Sequence, residues 1–242
     1  MSKVFKFGGA SVKNPKAIYN LKEIVSSYKE NLVIVISAID KTTNKLELVW
    51  KNYLENKTLK STEIAKEIIK FHKAIIEDLE LNNNSDFLKL FNDLTQELVD
   101  YIGAKTKQEN NISYSKIVSF GELFSTLIIS SYLNKEDVEN TWIDAREFIK
   151  TSNNATDSRV NWEETKRKIN SNLSKNKTYL TQGFIGSNLN GVTTTLGREG
   201  SDFSAAIFAW SMDVEEVIIW KDVDGLLNAD PKWFDKTQIL KK

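Results

Sequence analysis

The segment Leu32-Val-Ile-Val-Ile-Ser37 is the feature that most restricts how this chain can fold, because its first five residues are all apolar. A strand with one face in water alternates apolar and polar residues, whereas a strand covered on both faces is apolar throughout. The segment therefore predicts an inner strand of a parallel sheet that has helices on both faces.

The neighbouring segments extend this pattern. Val4 to Phe7 is a short apolar run, and the glycine pair after it leads into a helical stretch from Pro15 to about Lys29. Later apolar runs predict strands at 138–143, 177–182 and 215–220, a Gly/Asn-punctuated hairpin after residue 182, and a helix at 201–212. Strands that alternate with helices predict an α/β fold with a mostly parallel sheet.

The region between the second and third strands has a helical pattern instead. Its apolar residues recur at helical spacing, and one such face consists of Ile64, Ile68, Phe71, Ile75 and Leu79. We therefore predict a helical layer at about 42–104, followed by a nearly all-apolar helix at 115–133. The polar stretch 171–176 is the best candidate for a boundary between an N-terminal lobe, 1–176, and a C-terminal lobe, 177–242.

The charge balance and the residue types exclude several classes of protein. The 33 basic and 33 acidic side chains cancel, so no overall field favours nucleic acid or a membrane surface. The chain has no cysteine, which excludes disulfides and thiolate chemistry, and its polar start lacks the apolar stretch of a secretory signal. We expect a cytoplasmic protein that acts on small molecules.

The first candidate site is the segment Lys6-Phe7-Gly8-Gly9, at the end of the first predicted strand. Glycines let backbone N–H groups approach an anion closely, and the lysine adds positive charge. This combination indicates a phosphate site. A tight turn beside a solvated lysine would give the same short pattern.

The second candidate is Glu122, the only charged residue between Lys116 and Lys135 in an apolar helical stretch. A buried carboxylate needs a partner, and the ammonium group of a ligand could supply it. The pattern Ser119-Phe-Gly-Glu122 is also typical of a capping box, in which Glu122 would bond back to the start of its helix.

The third candidate is Arg198, in the segment Gly197-Arg-Glu-Gly200-Ser201-Asp202 before an apolar helix. A guanidinium binds a carboxylate through two parallel hydrogen bonds, which a lysine cannot do. The free N–H groups of a helix start also favour an anionic ligand. Ser201 or Asp202 is expected to cap this helix, but a cap does not explain the arginine.

The fourth candidate begins with Lys221 and Asp222, just past the end of a predicted strand. In open α/β sheets, ligands bind at that edge. A solvated Asp/Gly turn is the alternative. The only histidine, His72, is predicted at a helix surface or boundary, so a Ser-His-Asp hydrolase is disfavoured.

These motifs occur in an order that resembles the aspartate kinase branch of the amino acid kinase family. The segments are KFGGAS, ISAIDKTTN, SFGE, WIDAR, TQGFIG, TLGREGSD and IWKDVDGLLNADP, and they extend from residue 3 to about residue 232. The resemblance implies a three-layer α/β/α sandwich around a mostly parallel sheet. It also implies that the acidic amino acid binds toward the N-terminal lobe and ATP toward the C-terminal lobe.

The resemblance assigns roles to residues at matching positions. Lys6 would contact the transferred phosphoryl group and Asp202 would orient Lys6. The aspartate pocket would contain Ser37, Thr43, Glu122 for the ammonium group, Arg198 for the α-carboxylate, Gly200 and Ser201. The nucleotide contacts would be Lys6, Phe7, Gly8, Gly9, Lys221, Asp222, Leu227 and Lys232.

The implied activity is the ATP-dependent phosphorylation of aspartate on its β-carboxylate, the first step toward lysine, threonine and methionine. ATP would bring Mg²⁺ with it, and no protein metal site is expected. L-aspartate and ATP are the expected partners, with no nucleic acid and no membrane, and a homodimer is an open option. Two alternatives remain: a sister kinase that acts on glutamate or another small acid, and a non-catalytic, truncated binding module.

Several positions depart from the usual family pattern. Ala10 replaces a common threonine, Asp40 and Glu199 replace common glycines, Asp224 replaces a common proline, and Leu227 replaces a usual aromatic residue. Asp40 and Glu199 would add negative charge near anionic ligands, and Leu227 would weaken the contact to the base or ribose. Family members usually continue with another phosphate-contacting lysine segment and regulatory ACT domains, which this chain is expected to lack.

Overall fold

The computed structural model describes residues 3–104, 108–221, 227–229, 233–234 and 236–240. The strands in this part of the chain are β1 (Lys3–Phe7), β2 (Leu32–Ile36), β3 (Thr141–Ile143), β4 (Lys150–Thr151), β5 (Tyr179–Gln182), β6 (Ile185–Asn188), β7 (Thr193–Thr195) and β8 (Glu216–Trp220). The helices are α1 (Pro15–Ser26), α2 (Thr42–Leu54), α3 (Thr58–Asp78), α4 (Ser85–Gly103), α5 (Asn110–Lys135), α6 (Ala145–Phe148), α7 (Trp162–Asn172) and α8 (Gly200–Ser211).

A parallel five-stranded sheet in the order β3-β5-β2-β1-β8 forms the centre of the fold. Phe7 at the end of β1 lies opposite Ile36 of β2 and Trp220 of β8. The segments that follow these strands therefore leave the sheet at the same edge. The predicted α/β fold with a mostly parallel sheet is confirmed.

Both faces of the sheet are covered, which explains why β2 is apolar along its whole length. All five residues of β2 are buried, with at most 1% of any of them exposed. On one face, Phe5 of β1 contacts the ring of Tyr28, just past α1, with centroids 4.7 Å apart. On the other face, Lys6 points toward α8. The apolar side chains of β1 therefore pack in the core, whereas Lys6 faces the start of α8.

The predicted helical layer is formed by α2, α3 and α4, which pack around the long helix α5. By length and composition, α5 alone among the described helices could cross a membrane, but 83% of its most apolar 18-residue window is buried inside the protein. A helix that is surrounded by other elements has no polar face, which accounts for its sequence.

Two expectations about helix ends are wrong. α5 begins at Asn110, so Ser119 and Glu122 lie inside the helix and do not form a capping box. The Ser119 hydroxyl instead donates to the carbonyl of Lys116 at 2.8 Å. α8 follows Glu199, whose backbone is left-handed with φ 55° and whose side chain makes no capping hydrogen bond. The cap position is therefore Glu199, and Ser201 and Asp202 lie inside the helix.

A smaller sheet is formed by β4, β6 and β7. β6 and β7 form the predicted hairpin, which returns the chain to the start of α8. The central sheet takes strands from both sides of residue 176, and the division into two lobes at that point stays a prediction.

Candidate functional site

An open cavity of about 650 Å³ lies at the edge of the sheet where the parallel strands end. The loops after β1 and β2, the middle of α5 and the segment from β7 into α8 form its walls. The sequence-predicted residues that line it are Lys6, Gly9, Ser37, Thr43, Glu122, Arg198, Gly200, Ser201 and Asp202. Segments that are distant in the sequence therefore meet in one cavity.

Lys6 and Asp202 form an ion pair on the floor of this cavity, with Nζ and Oδ1 2.6 Å apart. The Nζ atom of Lys221, at the end of β8, lies 3.6 Å from the second carboxylate oxygen of Asp202. The side chain of Lys6 is only 8% exposed, whereas that of Lys221 is half exposed. One carboxylate therefore holds two lysines from neighbouring strands, which concentrates positive charge at a single point.

The close contact between the loops after β1 and β2 explains the glycine at position 9. A Cβ atom on Gly9 would lie 2.7 Å from the carbonyl oxygen of Ala38 and 3.0 Å from that of Asp40. The Asp40 N–H donates to the Gly9 carbonyl at 3.2 Å, and the Ser37 N–H donates to Phe7 at 3.1 Å. These bonds fix the loop that carries Ser37 against the loop that follows Lys6.

Glu122 projects from the interior of α5 into the cavity and is only 3% exposed. Its carboxyl group accepts hydrogen bonds from the backbone of Ala38 and the side chain of Thr43, but its Oε2 atom has no hydrogen-bond partner in the described structure. Burial raises the pKa of Glu122 from 4.5 to about 8, more than these hydrogen bonds lower it. A cationic ligand group in the cavity would supply the missing partner.

Arg198 lies at the mouth of the cavity with its side chain exposed. It forms no ion pair with any of the acidic residues that the structure describes, although Asp157 and Glu199 line the same cavity. Its guanidinium fork is therefore available to a carboxylate ligand.

The predicted nucleotide contacts are only partly brought together. Gly8 lies beside Lys6, since a Cβ atom on it would be 3.5 Å from Nζ. The side chain of Phe7 is buried, and its ring stacks on Trp220 with centroids 6.0 Å apart, outside the lining of the cavity. Leu227 makes an isolated bridge to Ile239. Asp222 and Lys232 lie outside the described residues.

The prediction for His72 is wrong. Its side chain is completely buried in α3, where Nδ1 lies 2.8 Å from the carbonyl oxygen of Ile68. Burial lowers the pKa of His72 from 6.5 to about 4, so the ring is neutral at ordinary pH. His72 is not in the lining of the cavity.

Sequence reasoning missed several residues of the cavity wall. The hydroxyl of Tyr114 donates to Glu47 at 3.0 Å, and burial together with this carboxylate raises the pKa of Tyr114. Asp157 fits so closely against Gly197 that a Cβ atom on the glycine would lie 1.9 Å from its Oδ1 atom. Phe184 also lines the cavity. Only Phe184 belongs to one of the family motifs, TQGFIG, and the others carry no local signal.

Comparison with known proteins gives consistent matches along the chain. The bifunctional aspartokinase/homoserine dehydrogenase of Buchnera aphidicola is 30% identical over 251 residues, which cover 99% of this chain and 30% of that protein. The lysine-sensitive aspartokinase 3 of Escherichia coli is 31% identical over 239 residues, which cover 95% of this chain and 51% of that protein. The chain thus spans about half or less of the length of these relatives.

A solved structure matches the fold as well. The crystal structure of Escherichia coli aspartokinase III in complex with aspartate and ADP superposes with a TM-score of 0.88 at 28% identity. The match covers 99% of this chain and 53% of that one. The profile of the amino acid kinase family matches residues 1–242. The fold, the order of the motifs and this full-length match together establish that the chain belongs to the amino acid kinase family.

Proposed function

We propose that the protein containing this chain is an aspartate kinase, which transfers the γ-phosphoryl group of ATP to the β-carboxylate of aspartate. The relatives named above are aspartokinases, and one of them was solved with aspartate and ADP. The observation that carries the proposal is that Glu122, Arg198 and the Lys6–Asp202 pair line one cavity.

The two sides of the cavity suit the two charged groups that every α-amino acid carries. The unpartnered oxygen of Glu122 would accept a hydrogen bond from the substrate ammonium group. The free guanidinium of Arg198 would hold the α-carboxylate through two parallel hydrogen bonds. Ser37, Thr43 and Ser201 add hydroxyl groups to the same walls. These contacts would direct the side-chain carboxylate of the substrate toward Lys6.

The reaction needs alignment and charge neutralisation more than it needs a base. One oxygen of the β-carboxylate forms a bond to the γ-phosphorus, and the bond from that phosphorus to the β,γ-bridging oxygen breaks, which releases ADP. An ionised carboxylate is already a nucleophile, so no proton has to be removed. Lys6 would neutralise charge on the transferred group, and the N–H groups at the start of α8 would add to this effect.

The described residues also suit an ATP-borne magnesium ion. Mg²⁺ is usually held by phosphates, water and one or two carboxylates, and Asp202, which pairs with both Lys6 and Lys221, is a described carboxylate that could contact it. The ion would supply charge neutralisation to the phosphates.

The two alternatives to this proposal differ in the ligand and in turnover. A sister kinase would bind glutamate or another small acid through the same contacts of Glu122 and Arg198. A binding module would bind aspartate or ATP and turn over neither. No described contact favours either alternative over the aspartate kinase reaction.

An ATP-dependent assay that traps the acyl phosphate as a hydroxamate tests the proposal. The assay uses this chain and the longest gene product that contains it, with aspartate, glutamate and N-acetylglutamate as separate substrates. We expect product with aspartate above the other two acids. Calorimetry on the same samples detects binding without turnover. If neither protein forms an aspartate-dependent product, the proposed function is wrong.

A further inference from the structure

A strained turn at Phe184 joins the central sheet to the cavity wall. The N–H of Ile185 donates to the carbonyl of Gly183 at 2.8 Å, and Phe184 between them has φ 70°. A three-residue turn with a positive central φ is rare and strained, and a bulky residue seldom adopts this backbone. Strain of this kind persists only where the surrounding contacts enforce it.

Two hydrogen bonds fix the turn on both sides. The Phe184 N–H donates to the hydroxyl of Ser204, in the second turn of α8, at 2.9 Å. The N–H of Leu196, which follows β7, donates to the carbonyl of Phe184 at 2.8 Å. The turn is therefore bonded to α8 and to the segment that leads into it.

The turn and the start of α8 also interlock through a pair of glycines. A Cβ atom on Gly183 would lie 2.5 Å from the Cβ atom of Ser201. A Cβ atom on Gly200 would lie 2.8 Å from Cδ2 of the Phe184 ring. Each segment thus has a glycine where the side chain of the other segment packs. A small movement of either one displaces the other.

We propose that Phe184 is a positioning residue for the aspartate kinase reaction proposed above, on which this inference rests. Its strained turn presses the aromatic ring onto Gly200 and so fixes the first turn of α8 at the cavity. That turn carries Ser201 and Asp202, and Asp202 in turn holds Lys6. Phe184 would affect the reaction indirectly, because it fixes the positions of Ser201, Asp202 and Lys6.

The strain itself separates this role from ordinary packing. A glycine would adopt φ 70° without penalty, yet the chain places a phenylalanine there and leaves its ring half-buried at the edge of the cavity. A residue that only filled the core would be buried and unstrained. The ring, and not the backbone of the turn, is therefore the feature to test.

Two substitutions separate the ring from the backbone. Asparagine and histidine both tolerate a left-handed backbone, but only histidine keeps a planar ring. We compare Phe184→Asn with Phe184→His at about pH 8, where a histidine of ordinary pKa is neutral. The control is Asn56→Gly, at an exposed left-handed residue with φ 58° that lies outside the cavity lining.

Two measurements are made on each protein: the kinetics with aspartate and ATP, and amide hydrogen exchange in the first turn of α8. For Phe184→Asn we expect kcat to fall by about tenfold to a hundredfold, because misplacement of reacting groups by about 1 Å costs that much. Exchange should become faster at the two hydrogen-bonded amides of this turn, Gly200 and Phe203, whose N–H groups donate to the carbonyls of Gly197 and Glu199. Phe184→His should recover most of kcat, and Asn56→Gly should match the wild-type protein in both measurements.

The outcomes distinguish this inference from the proposed function. The positioning role is overturned if the first turn of α8 exchanges in Phe184→Asn at the same rate as in the wild-type protein. It is also overturned if kcat is unchanged in that variant. Equal losses in the asparagine and histidine variants also overturn it, because the ring would then not matter. If neither the wild-type chain nor the longest gene product that contains it turns over aspartate, the proposed function is refuted, and the exchange comparison still decides whether Phe184 fixes α8.

Discussion

Replacing Glu122 by glutamine tests the central electrostatic feature of the cavity. Glutamine has nearly the same shape as glutamate, but it cannot ionise. Glu122 is buried on α5 and forms no ion pair with any described lysine or arginine, and burial raises its pKa to about 8. The free protein should therefore keep this carboxyl group protonated at pH 7, and a bound ammonium group should release the proton.

The pKa shift sets the size of the effect on stability. The pKa moves from 4.5 to about 8, which at about 1.4 kcal/mol per unit makes ionisation in the empty cavity cost roughly 5 kcal/mol. Because the folded-state pKa is raised, the stability that Glu122 contributes is present below pH 4.5 and is lost as the pH rises through 8. At about pH 8, Glu122→Gln should be more stable than wild type by about 2 to 4 kcal/mol, with little difference near pH 5.

The affinity for aspartate should rise with pH, whereas the stability of the empty protein falls. Between about pH 6 and pH 8, the affinity of the wild-type protein for aspartate should rise by roughly tenfold per pH unit, because the carboxyl group must lose its proton to pair with the ammonium group. The Glu122→Gln protein should bind aspartate more weakly and without this rise. The two proteins share every other titrating group, so the comparison isolates this one.

Urea unfolding at both pH values and calorimetric titration with aspartate measure these quantities. Glu67→Gln, at an exposed carboxylate on α3, is the matched control and should leave both unchanged. A stability difference between the Glu122 variant and wild type that is the same at pH 5 and pH 8 would refute the reasoning. So would an unaltered pH dependence of aspartate binding in the variant.

Three further substitutions follow from the structure. Arg198→Lys keeps the charge but loses the fork, so calorimetry should show aspartate affinity reduced by about 1 to 3 kcal/mol; unchanged binding would remove Arg198 from the site. Gly9→Ala places a Cβ atom 2.7 Å from the Ala38 carbonyl and should lower the free energy of unfolding by about 1 to 3 kcal/mol, whereas Gly103→Ala, with open space around it, should be neutral or stabilising. His72 has a lowered pKa, so the stability it contributes is present above pH 6.5 and is lost toward pH 4. His72→Leu should abolish that loss, about 2 to 3 kcal/mol at pH 4.5, in urea unfolding; an equal decline in both proteins would contradict it.

Local patterns predicted the parts of the fold that depend on local chemistry. The apolar run of β2 indicated two-sided burial, and the structure covers both faces of that strand. The helical spacing at 42–104 also predicted the layer formed by α2, α3 and α4. In both cases the number of buried faces determines the spacing of apolar residues, so that spacing predicts how many faces are buried.

Errors arose where a pattern had two physical meanings. Ser119 and Glu122 have capping-box spacing, yet α5 begins nine residues before Ser119. His72 borders the apolar stripe of α3, and only the packing of Phe124 from α5 against its ring, with centroids 5.3 Å apart, shows that the core extends over it. The residue pattern of α3 alone does not show which residues of α5 pack against it, so the burial of His72 could not be predicted.

The cavity was predictable to the extent that its residues lie in motifs. Lys6, Glu122 and Arg198 stand out because each is a charge in an unusual setting. Glu47, Tyr114 and Asp157 do not stand out, because they reach the cavity only through the packing of α2, α5 and the loop before α7. The strain at Phe184 is a backbone property that its residue type gives no reason to expect.

The shared carboxylate of Asp202 has a consequence for how the molecule responds to partial unfolding. Its two lysines come from adjacent strands whose positions in the chain are more than 200 residues apart, so the charge cluster exists only while β1 and β8 remain paired. A fluctuation that detaches β8 from the sheet would disperse this cluster before the core opens. If the two lysines bind nucleotide as the proposed function requires, bound nucleotide should protect the β8 edge from proteolysis more strongly than it protects α3, because the ligand and the strand pairing would stabilise the same arrangement.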